Sequence, residues 1–133
     1  MKHKEYNYIS VTADESDPNI IIGVYKPKLE IDLNVAKELV DNRIDFTNGH
    51  DHYILVDFTN VKSVTKEARD YMNDPNGGLR GLLAGAFLSN SLVTTLFINM
   101  YLRINQPTVP AKFFTKKDEA LNWLKSLKLK SIK

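Results

Sequence analysis

The sequence lacks several features that would narrow its function at once. It has no cysteine, which excludes disulfide scaffolds, thiol nucleophiles and cysteine-ligated zinc or iron–sulfur sites. It has no apolar run long enough for a membrane-spanning helix, and its start lacks the basic, apolar and small-residue pattern of a secretory leader. We therefore expect a cytoplasmic protein without membrane insertion.

The composition is that of an ordinary globular domain. The chain has 133 residues, of which 43% are hydrophobic and 26% charged. We find no internal repeat, low-complexity stretch or linker. Residues 1–133 are therefore predicted to form a single domain, with residues 1–4 and 129–133 frayed at its ends.

The net charge of +2 is unevenly distributed along the chain. Residues 1–115 carry 12 Lys and Arg against 14 Asp and Glu, whereas residues 116–133 carry 6 against 2. A slightly acidic body argues against a nucleic-acid-binding face. We expect the lysines of the basic tail to compensate the negative end of a last helix and then to lie in solvent.

Hydrophobic periodicity predicts five strands and four helices. The predicted strands are residues 6–12, 20–25, 53–58, 82–88 and 111–114. The predicted helices run from a cap at Asp32 or Asn34 to Phe46, from Thr65 to Met72, from Ser91 to about Ile104 and from Thr115 through Leu127. We expect Asn48-Gly49 to end the first of them. The order β-β-α-β-α-β-α-β-α predicts an α/β domain whose mixed sheet begins with a hairpin and continues through right-handed crossovers.

Two stretches resemble a known family. Residues 54–65, ILVDFTNVKSVT, are similar to the strand, loop and helix signature of STAS domains, the group typified by the SpoIIAA anti-sigma-factor antagonist. The end of the chain, with Pro107-x-x-Pro110, Phe113-Phe114 and residues 118–124, is similar to that of small bacterial SpoIIAA-like proteins of uncharacterised function. The resemblance implies a STAS/SpoIIAA-like fold and is poorly specific for activity.

The sequence departs from the regulated STAS domains at their phosphorylated serine, which is absent from the aligned positions here. In those proteins the helix after the loop begins with Asp-Ser, followed by Ser or Thr and Gly. The aligned residues here are Thr65-Lys66-Glu67-Ala68, so the acceptor position falls near Lys66 or Glu67. Glu67 in a first helical turn either imitates a phosphate or simply stabilises the positive end of the helix.

Several polar residues have both a functional and a structural interpretation. Asp57 follows a buried strand, where α/β sheets place ligands, but an Asp there also holds the following loop by accepting backbone N–H groups. Ser63 and Thr65 are candidates for modification, but either would serve as a helix N-cap, which we favour. The pair of histidines in His50-Asp51-His52 suggests a metal site, but we expect a solvated loop, because no third ligand lies nearby in the sequence.

No familiar catalytic or cofactor-binding motif is present. The glycines of Gly77-Gly78-x-x-Gly81 lack the Gly-Lys-Ser/Thr ending of a phosphate-binding loop and are interpreted as a turn. There is no Gly-x-Ser-x-Gly motif and no paired carboxylate motif. We therefore expect a protein that is not an enzyme and that holds neither a metal nor a cofactor.

The predicted helix at residues 91–104 is more apolar than a helix on a sheet requires, since its apolar residues cover well over half of its circumference. The excess can be buried by a neighbouring helix, by a second copy of the chain in a homodimer, or by a small lipophilic ligand. The residues proposed for such a dimer or ligand face are Val93, Phe97, Met100 and Tyr101.

The leading hypothesis is a non-catalytic domain that binds an unknown protein partner. Its expected interaction surface consists of Asp57, Thr59, Asn60, Ser63, Thr65 and Glu67. The alternative is that the domain binds or carries a small lipophilic ligand between the helix at residues 91–104 and the sheet.

Overall fold

A six-stranded mixed sheet forms the centre of the fold. The computed structural model describes residues 2–90 and 108–132. In this part of the chain the strands are β1 His3–Glu5, β2 Ile9–Ala13, β3 Ile20–Tyr25, β4 Leu29–Ile31, β5 His52–Asp57, β6 Val61–Val64, β7 Leu82–Leu88 and β8 Ala111–Phe114. The helices there are α1 Leu33–Phe46, α2 Lys66–Met72 and α3 Lys117–Ile132. None of these three helices has the length and apolar character needed to span a bilayer.

The topology of the large sheet follows the predicted plan. Its strand order is β1-β2-β3-β5-β7-β8, and β4 and β6 form a separate parallel pair. The strands β2 and β3 form the predicted antiparallel hairpin, whereas β3, β5, β7 and β8 are parallel neighbours. The predicted α/β class with a mixed sheet is confirmed.

The structure contains three short strands, β1, β4 and β6, that the sequence pattern did not predict. Each has only three or four residues, which is too short for alternation to show. The predicted strand at residues 6–12 is shifted, because β2 covers Ile9–Ala13 and pairs with β1. Residues 3–5 are thus hydrogen-bonded rather than frayed. The predicted helix at residues 91–104 lies outside the described residues.

The two faces of the sheet carry different helices, because successive strand residues point to opposite sides. On one face α1 and α2 pack over residues such as Val11 and Val56. On the other face α3 packs its Leu124 against the small residues of β7, Ala84 and Ala86. All three side chains are fully buried, so the alanines of β7 let this helix lie close to the sheet.

Local capping explains where the first two helices begin and end. Asp32, one of the two predicted caps of α1, accepts a hydrogen bond from Val35 N at 2.9 Å. After α1, Asn48 and Gly49 adopt positive φ angles of 53° and 76°, which end the helix as predicted. Thr65 caps α2 by accepting a hydrogen bond from Ala68 N at 3.2 Å.

Two lysines that we expected to serve only the end of the last helix form ion pairs instead. Lys128 Nζ lies 2.9 and 2.8 Å from the two carboxylate oxygens of Asp17, and Lys125 Nζ lies 3.7 Å from Asp14 Oδ2. Both aspartates belong to the turn between β2 and β3. The last helix is therefore attached to the hairpin, and it continues to Ile132, through residues that we expected to be frayed.

Candidate functional site

An apolar cavity of about 100 Å³ lies on the face of the sheet that carries α1 and α2. The sheet strands β2, β3, β5, β7 and β8 form its floor, and α1 and the segment after α2 complete the wall. The apolar lining side chains include Ile9, Val11, Ile21, Leu39, Val56 and Phe87. A cavity with such walls is suited to an apolar molecule.

Two glycines shape the wall of this cavity. At Gly85 in β7 an added Cβ would lie 3.7 Å from Ile54 Cγ2, so this position contributes space rather than a side chain. At Gly78 an added Cβ would lie 2.3 Å from Met72 Cα, so only glycine lets the loop approach the end of α2. The predicted turn at residues 77–81 is confirmed, and its close approach places Gly78 and Leu79 in the cavity wall.

Arg43 on α1 is the one charged side chain among the described lining residues. Its side chain is buried, and its Nη2 donates hydrogen bonds to Gly78 O at 2.7 Å and to Arg80 O at 3.1 Å. Its Nε is buried without a hydrogen-bond partner. Burial lowers the pKa of Arg43 to about 10, so the guanidinium stays charged at neutral pH.

Asn73, directly after α2, brings an amide to the same cavity. Its backbone N–H donates to Arg69 O at 3.1 Å and ends the helix. Its side-chain Nδ2 is buried and has no hydrogen-bond partner. The cavity therefore combines apolar walls with two polar residues whose donors are not all used.

Sequence reasoning did not single out Arg43 or Asn73. Arg43 follows Ala36, Leu39 and Val40 at the i+7, i+4 and i+3 spacing of the apolar stripe, so helical periodicity places it on the inner face. That spacing was the available signal. Asn73 follows the last residue of a short helix, where an asparagine is common in any protein, and it carried no such signal.

The first half of the predicted interaction surface is a loop tied down by its own polar groups. Asp57 Oδ1 accepts a hydrogen bond from Thr59 N at 3.0 Å, which is the structural role considered for this residue. Thr59 Oγ1 accepts from Asn90 N at 3.3 Å, and Asn60 Nδ2 donates to Tyr25 O at 3.2 Å. These contacts hold the loop against β3 and the end of β7.

The second half of that surface continues through β6 into α2. Ser63 is exposed on β6, Thr65 uses its hydroxyl as the cap of α2, and Glu67 is exposed in the first turn of this helix. No hydrogen bond in the described part of the chain joins these three residues to the loop that begins at Asp57. The residues Val93, Phe97, Met100 and Tyr101 lie outside the described residues.

His52 is buried, contrary to the solvated loop that we expected for His50-Asp51-His52. It is the first residue of β5 and is 2% exposed, whereas His50 and Asp51 are exposed. Its Nδ1 lies 2.9 Å from His50 O, and its Nε2 has no partner. Burial lowers the pKa of His52 to about 4, so the ring is neutral at pH 7. Within residues 2–90 and 108–132 no group of three His, Asp or Glu side chains could hold a metal ion.

Comparisons with known proteins give a family and a fold. The profile of the family described as Domain of unknown function (DUF7793) matches residues 15–128. No curated protein matches the chain. A crystal structure of an uncharacterised DUF3478-family protein with a SpoIIAA-like fold, from Shewanella loihica PV-4, is similar with a TM-score of 0.61 and 13% identity, over 91% of this chain and 98% of that one. This likeness confirms the SpoIIAA-like fold that the sequence resemblance implied.

Proposed function

The chain belongs to the DUF7793 family, and we propose that it is a non-catalytic binding protein that holds a small lipophilic molecule in the cavity beside α1. The observation that carries the proposal is the cavity itself, about 100 Å³ with almost entirely apolar walls. The sequence-based alternative placed such a ligand under residues 91–104. In the part of the chain that the structure describes, α1 forms one wall of the cavity.

The size of the cavity limits the ligand to a small one. An engineered apolar cavity of about 150 Å³ stays dry and accepts benzene or xenon. A ligand that buries about 150 Å² of apolar surface gains at most about 4 kcal/mol, which corresponds to a dissociation constant of about 1 mM. Binding must therefore be measured at millimolar ligand concentrations.

Xenon and benzene are suitable first probes, followed in amide chemical shifts by NMR. We expect both to shift residues around the cavity, such as Ile54 and Leu39, and to leave exposed residues unchanged. The variant Gly85→Val should abolish the shifts, because its side chain enters the space beside Ile54. The variant Val24→Leu adds apolar volume at an exposed position of β3 and is the matched control. Saturable shifts that survive in Gly85→Val would contradict the proposal.

A protein partner at the loop and helix after β5 is the second candidate function. The observation that favours it is the exposure of Asn60, Ser63 and Glu67 beside β6, a strand with a neighbour on one side only among the described strands. An exposed strand edge can pair with a strand of another protein.

The test of this candidate is cross-linking of a co-purified partner, mapped by mass spectrometry. We expect cross-links at Lys62 and loss of the partner in Ser63→Arg, with Lys37→Glu on α1 as the control. Cross-links confined to other surfaces would exclude this site. Self-association stays a prediction, which light scattering of the purified chain measures.

A further inference from the structure

Arg43 is a buried cation for which the described residues supply no anion. Its side chain is 7% exposed, and none of the ion pairs formed within residues 2–90 and 108–132 includes it. The remaining internal segment, residues 91–107, contains no Asp or Glu. Buried charges are normally paired, because removing an isolated charge from water is costly.

The hydrogen bonds of Arg43 satisfy only part of its guanidinium. Nη2 donates to two carbonyl oxygens, Gly78 O and Arg80 O, and these bonds hold the loop at residues 77–81. Carbonyl groups provide dipoles but no net negative charge. The buried Nε–H is left over, and a guanidinium has donors only.

The group that would complete this site must accept hydrogen bonds. Asn73 lines the same cavity and has a second buried donor without a partner, its Nδ2. Arg80 lies nearby, since its backbone oxygen accepts from Arg43, but its own side chain lies 3.9 Å from Asp41, which balances its charge. Arg43 therefore remains the cation without a counter-charge among the described residues. Two unused donors, one of them on a guanidinium without a counter-ion, favour an anionic acceptor.

We propose that the ligand of the cavity is the anion of a small apolar carboxylic acid, with its carboxylate beside Arg43 Nε and Asn73 Nδ2 and its apolar part within the cavity. This inference rests on the proposed function and names the chemical class of the ligand. The carboxylate supplies the missing counter-ion. The space of about 100 Å³ is smaller than an engineered cavity of about 150 Å³ that accepts benzene, so the apolar part is at most the size of a phenyl group.

The decisive experiment compares acids with their neutral amides on the unmodified protein at pH 7. The pairs are butanoate against butanamide and benzoate against benzamide, titrated while amide chemical shifts are recorded. We expect each acid to bind at least tenfold more tightly than its amide. Inorganic phosphate, an anion without an apolar part, should cause no shifts in the cavity.

Variants then assign the preference to Arg43. In Arg43→Gln the acid and the amide should bind within twofold of each other, because the charge is gone while one donor remains. Asn73→Leu should weaken the binding of the acid more than that of xenon. Arg69→Gln on α2, outside the cavity wall, is the matched control and should keep the tenfold preference.

The possible results separate this inference from the proposed function. Equal binding of acid and amide to the unmodified protein overturns the anionic ligand, and Arg43 then serves only to hold the loop. If xenon or benzene still binds in that case, the proposal of a lipophilic cavity is retained. If no probe binds, both the lipophilic cavity and the anionic ligand are overturned. If Arg43→Gln fails to fold, the comparison of acid and amide on the unmodified protein still shows whether the cavity prefers an anion.

Discussion

Burial of His52 makes the stability of this protein depend on pH. The folded chain encloses the ring almost completely, and burial lowers the pKa of His52 from 6.5 to about 4. The unfolded chain binds a proton near pH 6.5, whereas the folded chain resists it until about pH 4. Because the unfolded state binds more protons between these values, acidification favours unfolding in that window.

The size of the effect follows from the two pKa values. Each pH unit within the window is worth about 1.4 kcal/mol when only the unfolded state titrates. Between pH 7 and pH 5 the free energy of unfolding should therefore fall by about 2 kcal/mol through His52 alone. Most carboxylates titrate at lower pH and contribute little in this window.

Urea denaturation at pH 7, 6 and 5 measures this loss. Between pH 7 and pH 5 the free energy of unfolding of His52→Leu should fall by about 2 kcal/mol less than that of the unmodified protein. His50→Gln, at an exposed neighbouring position, is the matched control and should retain the full loss. Equal pH dependence of the unmodified protein and His52→Leu would refute the assignment of a depressed pKa to the buried ring.

Three further predictions concern stability. Asp17→Asn removes the carboxylate charge held 2.8 Å from Lys128 Nζ. In urea denaturation we expect the free energy of unfolding to fall by about 1 kcal/mol at low salt and by less at high salt. Equal losses in both buffers would speak against an ionic contribution. Thr65→Ala removes the cap of α2 and should cost about 1 kcal/mol, whereas Thr65→Ser should cost much less, as measured by thermal unfolding; a similar loss in both variants would contradict capping by the hydroxyl. Gly78→Ala places a methyl group 2.3 Å from Met72 Cα and should destabilise the folded protein by about 2 kcal/mol or more. An unchanged melting temperature would show that the loop at residues 77–81 moves freely.

Sequence-based expectations were most accurate where the cause is local. Asp32 and Thr65 were each one of two candidate caps, because a cap depends on residues three positions away, which the sequence displays directly. The turn at residues 77–81 and the hairpin of β2 and β3 follow from glycine, proline and alternation in the same way. Short strands such as β4 escaped prediction, because pairing with a distant strand stabilises them and their own pattern does not.

The candidate site was predictable only in part. The inward position of Arg43 follows from helical spacing, but its residue type favours a solvated position, and only packing shows that it is enclosed. The burial of His52 was not predicted, because the neighbouring Gly49, His50 and Asp51 resemble a solvated loop. The lipophilic ligand was a secondary hypothesis, and the cavity beside α1 makes it the leading one.

The sequence by itself determined the α/β class, the hairpin followed by parallel strands, the candidate helix caps and the resemblance to SpoIIAA-like proteins. Periodicity and turn chemistry act between near neighbours, so they are visible in the order of the residues. The tertiary structure alone decided where the cavity lies, that Arg43 and His52 are enclosed, and that Lys128 meets Asp17 across the chain. Burial and ion pairing depend on residues that are distant in sequence, and only the folded packing brings them together.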